Sequence, residues 1–273
     1  MPPTLPPRSA FGLALALTAA GALPARAQQN GHSAHPEAAT AAASVHARAD
    51  TAYYAGRPEE AWDDLRAHLQ REPGDYEALW RAARSALVVA VETDGNREQN
   101  AWLDPGRDFA ERAVAAQPEG IEGLYFRAAL TGRRAMNATP GDAVKLAQLA
   151  YDDAHAILAI DSLHGGAHNV LGKLNYEVMS LSRIARVVAR LLMGNDAIRS
   201  AGWDEAEHHL SRAAELWPEL VLFHYDLGAL YRKRGRDDEA RGELERAMEL
   251  PLLHPPDLRF KAQSEALLQE IGR

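Results

Sequence analysis

The chain has 273 residues, with 30 Lys and Arg against 38 Asp and Glu, and its formal net charge is −8. Because cysteine is absent, disulfides and thiolate metal sites are excluded. Binding to nucleic acid is not expected, because non-specific binding depends on clustered Lys and Arg facing phosphate.

The first 27 residues have the pattern of an export signal. Arg8 supplies a weak basic region, residues 11–22 form an apolar run, and Ala25-Arg26-Ala27 is a small-x-small cleavage site before Gln28. The apolar run is shorter than the roughly 20 residues that a membrane-spanning helix needs, which favours a cleaved peptide over an anchor. We therefore predict a signal peptide over residues 1–27 and an exported, periplasmic protein.

Residues 28–43 are rich in alanine and show no sustained helical stripe, so we interpret them as a flexible linker. His32 and His35 lie in this linker, and we interpret them as solvated side chains. A repeat domain is predicted over the remaining residues, 44–273.

A spacing of 34 residues recurs towards the C-terminus. It is the period of the tetratricopeptide repeat, whose unit is a pair of helices. Three residues of one helix return 34 positions later in another: Ala206, Leu210 and Ala213 return as Ala240, Leu244 and Ala247.

Laid along the chain, the same template predicts five helix pairs. Gly56 and Pro58 separate the helices of the first pair, and Pro73 ends that pair. The second unit runs 45 residues from Pro73 to Pro118 rather than 34, and the third is also elongated. We place the extra residues between the helices of these units, around residues 93–100 and 137–141.

A longer insertion in the fourth unit, residues 178–193, is predicted to be an amphipathic helix. Its apolar side carries Ile184, Val187, Val188, Leu191 and Leu192, and another side carries Arg183, Arg186 and Arg190. Such a basic amphipathic helix could contact a membrane surface or a partner. The simpler interpretation, which we favour, is that its apolar side packs on the repeats and its arginines face water.

The last segment, residues 257–271, follows Pro255-Pro256 and carries an apolar stripe. A solenoid exposes the hydrophobic face of its terminal repeat unless something covers that face, so we predict a C-terminal capping helix. The fold class is therefore an all-α, tetratricopeptide-like helical-repeat solenoid with about five helix pairs, an inserted amphipathic helix and a capping helix.

Several of these segments together resemble the regulator of microtubule dynamics family, over roughly residues 76–271. They are Leu79-Trp80-Arg81-Ala82-Ala83-Arg84, His168-Asn169-Val170-Leu171-Gly172, Tyr176-Glu177-Val178, the Arg-rich inserted helix before Gly194, and residues 247–269. The resemblance implies an all-helical repeat domain without enzymatic activity. Animal members of that family are associated with microtubules and organelle membranes, and one has a repeat domain similar to a phospholipid carrier.

No catalytic residue, cofactor or metal site is predicted. His164 and His168 are spaced like two metal ligands of one helix, but Gly165-Gly166 between them indicates a helix start. Glu205, His208 and His209 resemble part of a Glu-x-x-His site, which would need further Glu residues from facing helices. The chain has no zinc-protease, nucleophile-elbow, phosphate-loop or dinucleotide motif.

Binding is expected in the groove formed by the first helices of successive repeats. The set predicted to face this groove combines aromatic with cationic side chains, which suits an extended peptide, an acidic terminus or a lipid headgroup. It comprises Tyr53, Trp80, Arg84, Tyr125, Asn169, Lys173, Tyr176, Tyr225 and Arg232.

Two functions remain open at this point. The first is an exported, non-catalytic scaffold that engages a protein or peptide partner through the groove. The alternative is a carrier of phospholipid or another apolar ligand, with the inserted helix making peripheral contact with a membrane.

Overall fold

A computed structural model describes residues 36–192 and 195–272, and in these two ranges the protein is entirely helical apart from turns and short connections. The predicted signal peptide and residues 28–35 of the predicted linker, with His32 and His35, lie outside the described residues. None of the helices in the described ranges is long and apolar enough to cross a membrane. The helices are α1 Pro36–Tyr54, α2 Pro58–Leu69, α3 Tyr76–Glu92, α4 Asn96–Ala116, α5 Ile121–Met136, α6 Pro140–Ile160, α7 Gly165–Ser180, α8 Arg183–Leu192, α9 Asp196–Arg199, α10 Trp203–Leu216, α11 Val221–Lys233, α12 Asp237–Glu249 and α13 Asp257–Ile271.

Helices pack in five pairs, α1 with α2, α3 with α4, α5 with α6, α7 with α10 and α11 with α12. The fourth pair joins helices that are not consecutive, because α8 and α9 are inserted between its members. α13 packs on α11 and α12, the last pair. The predicted all-α repeat solenoid with an inserted helix and a capping helix is confirmed. α1 begins at Pro36 and so includes residues 36–43, which the sequence assigned to the linker.

The extra residues of the second and third units lengthen their helices, whereas the sequence analysis placed them between the helices. Only residues 93–95 separate α3 from α4, and only residues 137–139 separate α5 from α6. Gly95, with a φ of +91°, turns the chain, and α4 starts at the next residue. The polar run at residues 96–100 resembles a loop in composition, but Glu and Gln are good helix formers and become the first turn of α4.

Close contact between paired helices depends on two glycines. A Cβ on Gly172 of α7 would lie 2.6 Å from Cγ of Leu210 in α10. A Cβ on Gly228 of α11 would lie 2.8 Å from Cγ of Leu244 in α12. Each glycine therefore lets the backbone of a first helix approach a large, fully buried leucine of its second helix.

Successive pairs are also joined by hydrogen bonds. The hydroxyl of Tyr76, at the start of α3, accepts a hydrogen bond from the backbone N–H of Gly123 at 3.1 Å. The same hydroxyl donates to a carboxylate oxygen of Glu122 at 3.2 Å. Gly123 lies in the first turn of α5, where backbone N–H groups have no partner within the helix. A side chain of one repeat thus caps the first helix of the next.

We predicted that the apolar side of the inserted helix packs on the repeats. This prediction is wrong for the apolar side chains of that set that are described, Ile184 and Val187. Ile184 is 79% exposed and Val187 is 54% exposed. Two of the arginines, instead of facing only water, bond back to the protein: Arg186 donates to the carbonyl of Met179 and Arg190 to the carbonyl of Ala201, each at 2.7 Å. Met179 lies in the last turn of α7, where backbone carbonyls have no partner within the helix, and Ala201 lies between α9 and α10. Both carbonyls can therefore accept from the guanidinium groups, while Ile184 and Val187 stay exposed.

Candidate functional site

The first helices of four repeats, together with α13, line a half-open cavity of about 290 Å³. α3, α5, α7 and α11 form its walls, and Phe260 and Gln263 of α13 reach its lining from the C-terminal end. α13 therefore has two roles, because it covers the last helix pair and also forms one wall of the cavity.

Contacts between α13 and the second repeat fix one wall of this cavity. The guanidinium group of Arg259 in α13 donates to the backbone carbonyl of Glu92 at 3.1 Å and to a carboxylate oxygen of Asp94 at 2.7 Å. Val91, in the last turn of α3, packs against the buried cluster that contains Val221 and Phe260. The array thus curves far enough for its C-terminal helix to meet its second repeat.

A buried carboxylate lies at one side of the cavity. Asp226 of α11 is 5% exposed and accepts hydrogen bonds from two residues of α7, Asn169 at 3.0 Å and Lys173 at 3.1 Å. Lys173 also lies 3.5 Å from Glu177. Burial alone would lower the pKa of the Lys173 ammonium, but the charges of Asp226 and Glu177 outweigh burial and raise it. Lys173 is therefore already neutralised by the protein.

Arg133 of α5 is the cation of the cavity lining that has no carboxylate partner among the described residues. Among the residues that the structure describes, none forms an ion pair or hydrogen bond with its guanidinium group, whereas Lys173 is paired with Asp226 and Arg259 with Asp94. Burial lowers the pKa of Arg133, and the positive charge of Arg259 adds to this, while the charges of Asp226 and Glu177 oppose it only in part. A guanidinium group held in these surroundings favours an anion that enters the cavity.

Much of the remaining lining is apolar. Leu87 and Val91 of α3, Val170 and Leu174 of α7, and Leu222 of α11 contribute aliphatic side chains. Two tyrosines, Tyr125 and Tyr225, add aromatic surface, and burial raises the pKa of Tyr125 to about 12, so its hydroxyl stays protonated. The chemistry that fits is an anionic group attached to an apolar one.

The nine residues predicted to face the groove occupy different places. Four of them, Tyr125, Asn169, Lys173 and Tyr225, line the cavity. The other five do not belong to its lining: Tyr53, Trp80, Arg84, Tyr176 and Arg232.

Tyr53, Trp80 and Arg84 form a separate cluster near the N-terminal end. The guanidinium carbon of Arg84 lies 3.9 Å from the centroid of the Tyr53 ring and 5.3 Å from that of Trp80. Arg84 also donates to Asp50 at 2.5 Å and is 8% exposed. Its charge is thus already balanced inside the protein.

Tyr176 and Arg232 each have local partners. The ring centroid of Tyr176 lies 4.9 Å from the ammonium of Lys173 and 6.1 Å from the ring of Trp203. Arg232, near the end of α11, donates to Asp237 of the following helix at 3.2 Å. Tyr176 thus contacts α10, and Arg232 links α11 to α12.

Sequence reasoning missed Arg133 and Asp226, the two residues that set the electrostatics of the cavity. Helical spacing could have identified Arg133, because it lies eight positions, or about two turns, after Tyr125 on the same helix face. No comparable local pattern points to Asp226, because its importance arises from Asn169 and Lys173 on another helix.

Comparison with known proteins places the chain among helical-repeat proteins. A family model described as Regulator of microtubule dynamics protein 1-3 matches residues 45–272. Two proteins named Regulator of microtubule dynamics protein 3 also match, from Rattus norvegicus at 24% identity over 196 residues and from Bos taurus at 24% over 195. Each match covers 71% of this chain, which spans 41% of the length of either relative.

A solved structure agrees with the fold. The crystal structure of TTC0263, a thermophilic TPR protein from Thermus thermophilus, aligns with a TM-score of 0.59 and 19% identity. The alignment covers 84% of this chain and 99% of that one. At this identity the similarity shows the architecture alone.

Proposed function

The chain belongs to the regulator of microtubule dynamics 1–3 family, as its sequence predicted, and from this premise we propose that it is an exported, non-catalytic binding protein that engages a peptide segment of a protein partner. Tetratricopeptide-type solenoids commonly act by binding other proteins on the concave surface that their stacked helices create. The cavity between the first helices is the part of that surface which we assign to the partner.

The observation that carries this proposal is the unpaired Arg133 inside an apolar cavity. A guanidinium group binds a carboxylate through two parallel hydrogen bonds, and the aliphatic lining suits a hydrophobic side chain next to that carboxylate. A peptide that ends in a hydrophobic residue offers both groups within one residue. We therefore propose the C-terminal carboxylate of an apolar-tailed peptide as the recognised group.

Export supports a partner in the cell envelope. The pattern of residues 1–27 favours a cleaved signal peptide, and an exported chain would not meet microtubules, to which the relatives' name refers. We propose that the family fold serves here to bind an envelope protein. The absence of a recognisable catalytic motif in the sequence supports a non-enzymatic role.

A fluorescence-anisotropy titration tests the cavity. The probe is a labelled hexapeptide ending in leucine, synthesised with a free carboxylate and, separately, with a C-terminal amide. We expect the free acid to bind at least about tenfold more tightly than the amide, because the amide carries no charge for Arg133. Arg133→Gln should remove this preference.

Arg134→Gln provides the matched control. Arg134 is the next residue of α5, but its guanidinium group pairs with Asp104 at 2.8 Å, outside the cavity lining. This variant should keep the preference for the free acid. Equal affinities for acid and amide, or an unchanged preference in Arg133→Gln, would remove the cavity from the proposal. Cross-linking in the native envelope would then identify the partner.

Carriage of an apolar ligand is the second candidate, favoured by the aliphatic lining and by the exposed Ile184 and Val187 of α8. The size of the cavity limits this alternative. A volume of about 290 Å³ lies just below the roughly 300–1,000 Å³ typical of pockets for drug-sized ligands. The cavity therefore suits a single acyl chain better than a complete two-chain phospholipid. Mass spectrometry of the natively purified protein would reveal a co-purifying lipid and favour this candidate.

A further inference from the structure

Three side chains with metal-binding atoms converge at the N-terminal end of the repeat array, away from the cavity. His46 comes from α1, His68 from the last turn of α2, and Asp75 immediately precedes α3. Nε2 of His46 lies 2.9 Å, and Nε2 of His68 2.7 Å, from the same carboxylate oxygen, Oδ2 of Asp75. One ligand atom from each residue lies within 4.8 Å of the others.

From this geometry we propose that His46, His68 and Asp75 bind a divalent transition-metal ion of the Zn²⁺ type. Imidazole nitrogen and carboxylate oxygen are ligands that Zn²⁺ commonly uses. With bonds of about 2.0–2.1 Å, two ligand atoms of a tetrahedral Zn²⁺ ion lie about 3.3 Å apart. The nitrogen–oxygen distances therefore need to widen by only about 0.4–0.6 Å, within reach of small side-chain rotations.

The carboxylate of Asp75 is held in place by its other oxygen. Oδ1 accepts a hydrogen bond from the backbone N–H of Ala78 at 3.2 Å, as the N-cap of α3. The ligand is therefore oriented by the helix that it caps.

The site is partly buried, so an ion can reach it while the protein still shields most of the ligand atoms from solvent. The side chain of His68 is 7% exposed, while those of His46 and Asp75 are 16% and 15% exposed. An ion can enter from the side of His46, and water can complete a four-coordinate shell. The bound ion would join α1 and α2 to the start of α3, and so fasten the first repeat to the second. Sequence reasoning did not predict this site, because 29 positions separate His46 from Asp75 and no motif links them.

Titration of the chelator-treated full chain with Zn²⁺ tests the site. Isothermal calorimetry should show one saturable site per chain, and Co²⁺ should give the visible absorption of tetrahedral coordination. Two variants should weaken Zn²⁺ binding at least about tenfold, His46→Gln and Asp75→Asn. Asn retains the side-chain oxygen that caps α3, so Asp75→Asn should stay folded. Zn²⁺ should raise the thermal midpoint of the wild type and leave that of Asp75→Asn unchanged.

Two further variants separate this cluster from the other histidines. His155→Gln alters an exposed histidine far along the chain, and His32→Gln/His35→Gln alters the N-terminal segment. Both should bind Zn²⁺ as the wild type does. The proposal is overturned if no saturable site appears, if His46→Gln and Asp75→Asn bind as tightly as the wild type, or if binding is lost in His32→Gln/His35→Gln.

Discussion

The guanidinium group of Arg259 lies 2.7 Å from a carboxylate oxygen of Asp94, although 165 positions separate the two residues. This contact joins the C-terminal helix to the connection between α3 and α4, and the backbone carbonyl of Glu92 accepts a second hydrogen bond from the same group. The contact therefore holds α13 against the end of α3 and fixes the position of the cavity wall that α13 forms.

Arg259→Ala should loosen α13 more than it destabilises the whole protein. The Asp94 side chain is 88% exposed, so solvent screens the ion pair and its loss should cost about 0.5–1 kcal/mol in a urea denaturation. Amide hydrogen exchange within α13 should become measurably faster, because its contact with α3 is lost. Glu265→Ala, at an exposed position of the same helix, is the control and should leave that exchange unchanged. Equal exchange rates in Arg259→Ala and the wild type would contradict the role of the contact in holding α13 on α3.

Two glycine substitutions should have effects of opposite sign. Alanine at position 172 gains about 1 kcal/mol of helix propensity, but its Cβ would lie 2.6 Å from Cγ and 2.9 Å from the backbone nitrogen of Leu210. Because the backbone of α10 cannot move aside alone, overpacking should prevail, with a net loss of about 1–2 kcal/mol in the free energy of unfolding.

Gly242→Ala is the matched substitution, because nothing lies within 4 Å of a Cβ at this exposed position of α12. It should stabilise the protein by about 0.5–1 kcal/mol, since propensity acts without a clash. Chemical denaturation of both variants measures the difference. A stabilising Gly172→Ala would show that α7 and α10 are less closely packed than described.

The repeat period predicted the fold because the fourth and fifth units share a local contact, a glycine of the first helix against a leucine of the second. Gly228 lies beside Leu244 as the template requires, and the pair can be identified from the sequence alone.

The site was only partly predictable. Tyr125 and Lys173 follow from template positions, but the approach of α13 to α3 depends on the small rotations that accumulate from one repeat to the next. No local sequence pattern gives the accumulated rotation, so neither the contact of Arg259 with Asp94 nor the wall that α13 adds to the cavity could be inferred.

Acidification should destabilise the protein through His209. Burial, together with the imidazoles of His168, His208 and His155, lowers the pKa of His209 to about 4. An unfolded histidine has a pKa of about 6.5, so between about pH 6.5 and 4 the unfolded chain binds a proton that the folded chain does not. The stability is thus fully present above this window and is lost as the pH falls through it. The carbonyl of Ser162 accepts from Nε2 of His168, so Nδ1 of His168 accepts from Nδ1 of His209 at 2.9 Å, and a proton on Nδ1 of His168 would break this second bond.

The expected contribution of His209 is roughly 2–3 kcal/mol, at about 1.4 kcal/mol for each unit of pKa difference and with allowance for partial exposure. Urea denaturation at pH 7 and at pH 4.5 measures the loss. His209→Gln should lower stability at pH 7 but show a smaller loss between the two pH values. The interpretation fails if the variant and the wild type lose the same free energy over this interval.

Removing Lys173 alone should lower the free energy of unfolding more than removing both Lys173 and Asp226. Lys173→Met leaves the carboxylate of Asp226 buried with Asn169 as its remaining partner. Leaving a buried charge without its partner lowers the free energy of unfolding by roughly 3–5 kcal/mol. We expect about 3 kcal/mol here, because the Lys173 side chain is 32% exposed. Lys173→Met/Asp226→Leu removes both charges and should recover most of this loss, since an apolar pair of similar volume needs no desolvation of ions.

A double-mutant cycle from urea denaturation measures the coupling between these two residues. Lys145→Met is the surface control, because Lys145 lies 3.7 Å from Asp142 with both side chains largely exposed, and its removal should cost less than about 0.5 kcal/mol. If the double variant were as unstable as Lys173→Met, the lysine would act through packing, and the lost stability would come from its aliphatic stem. If the double variant recovers, the pair is there for its charge: Asp226 neutralises Lys173 and leaves Arg133 as the cation that an anionic ligand would meet.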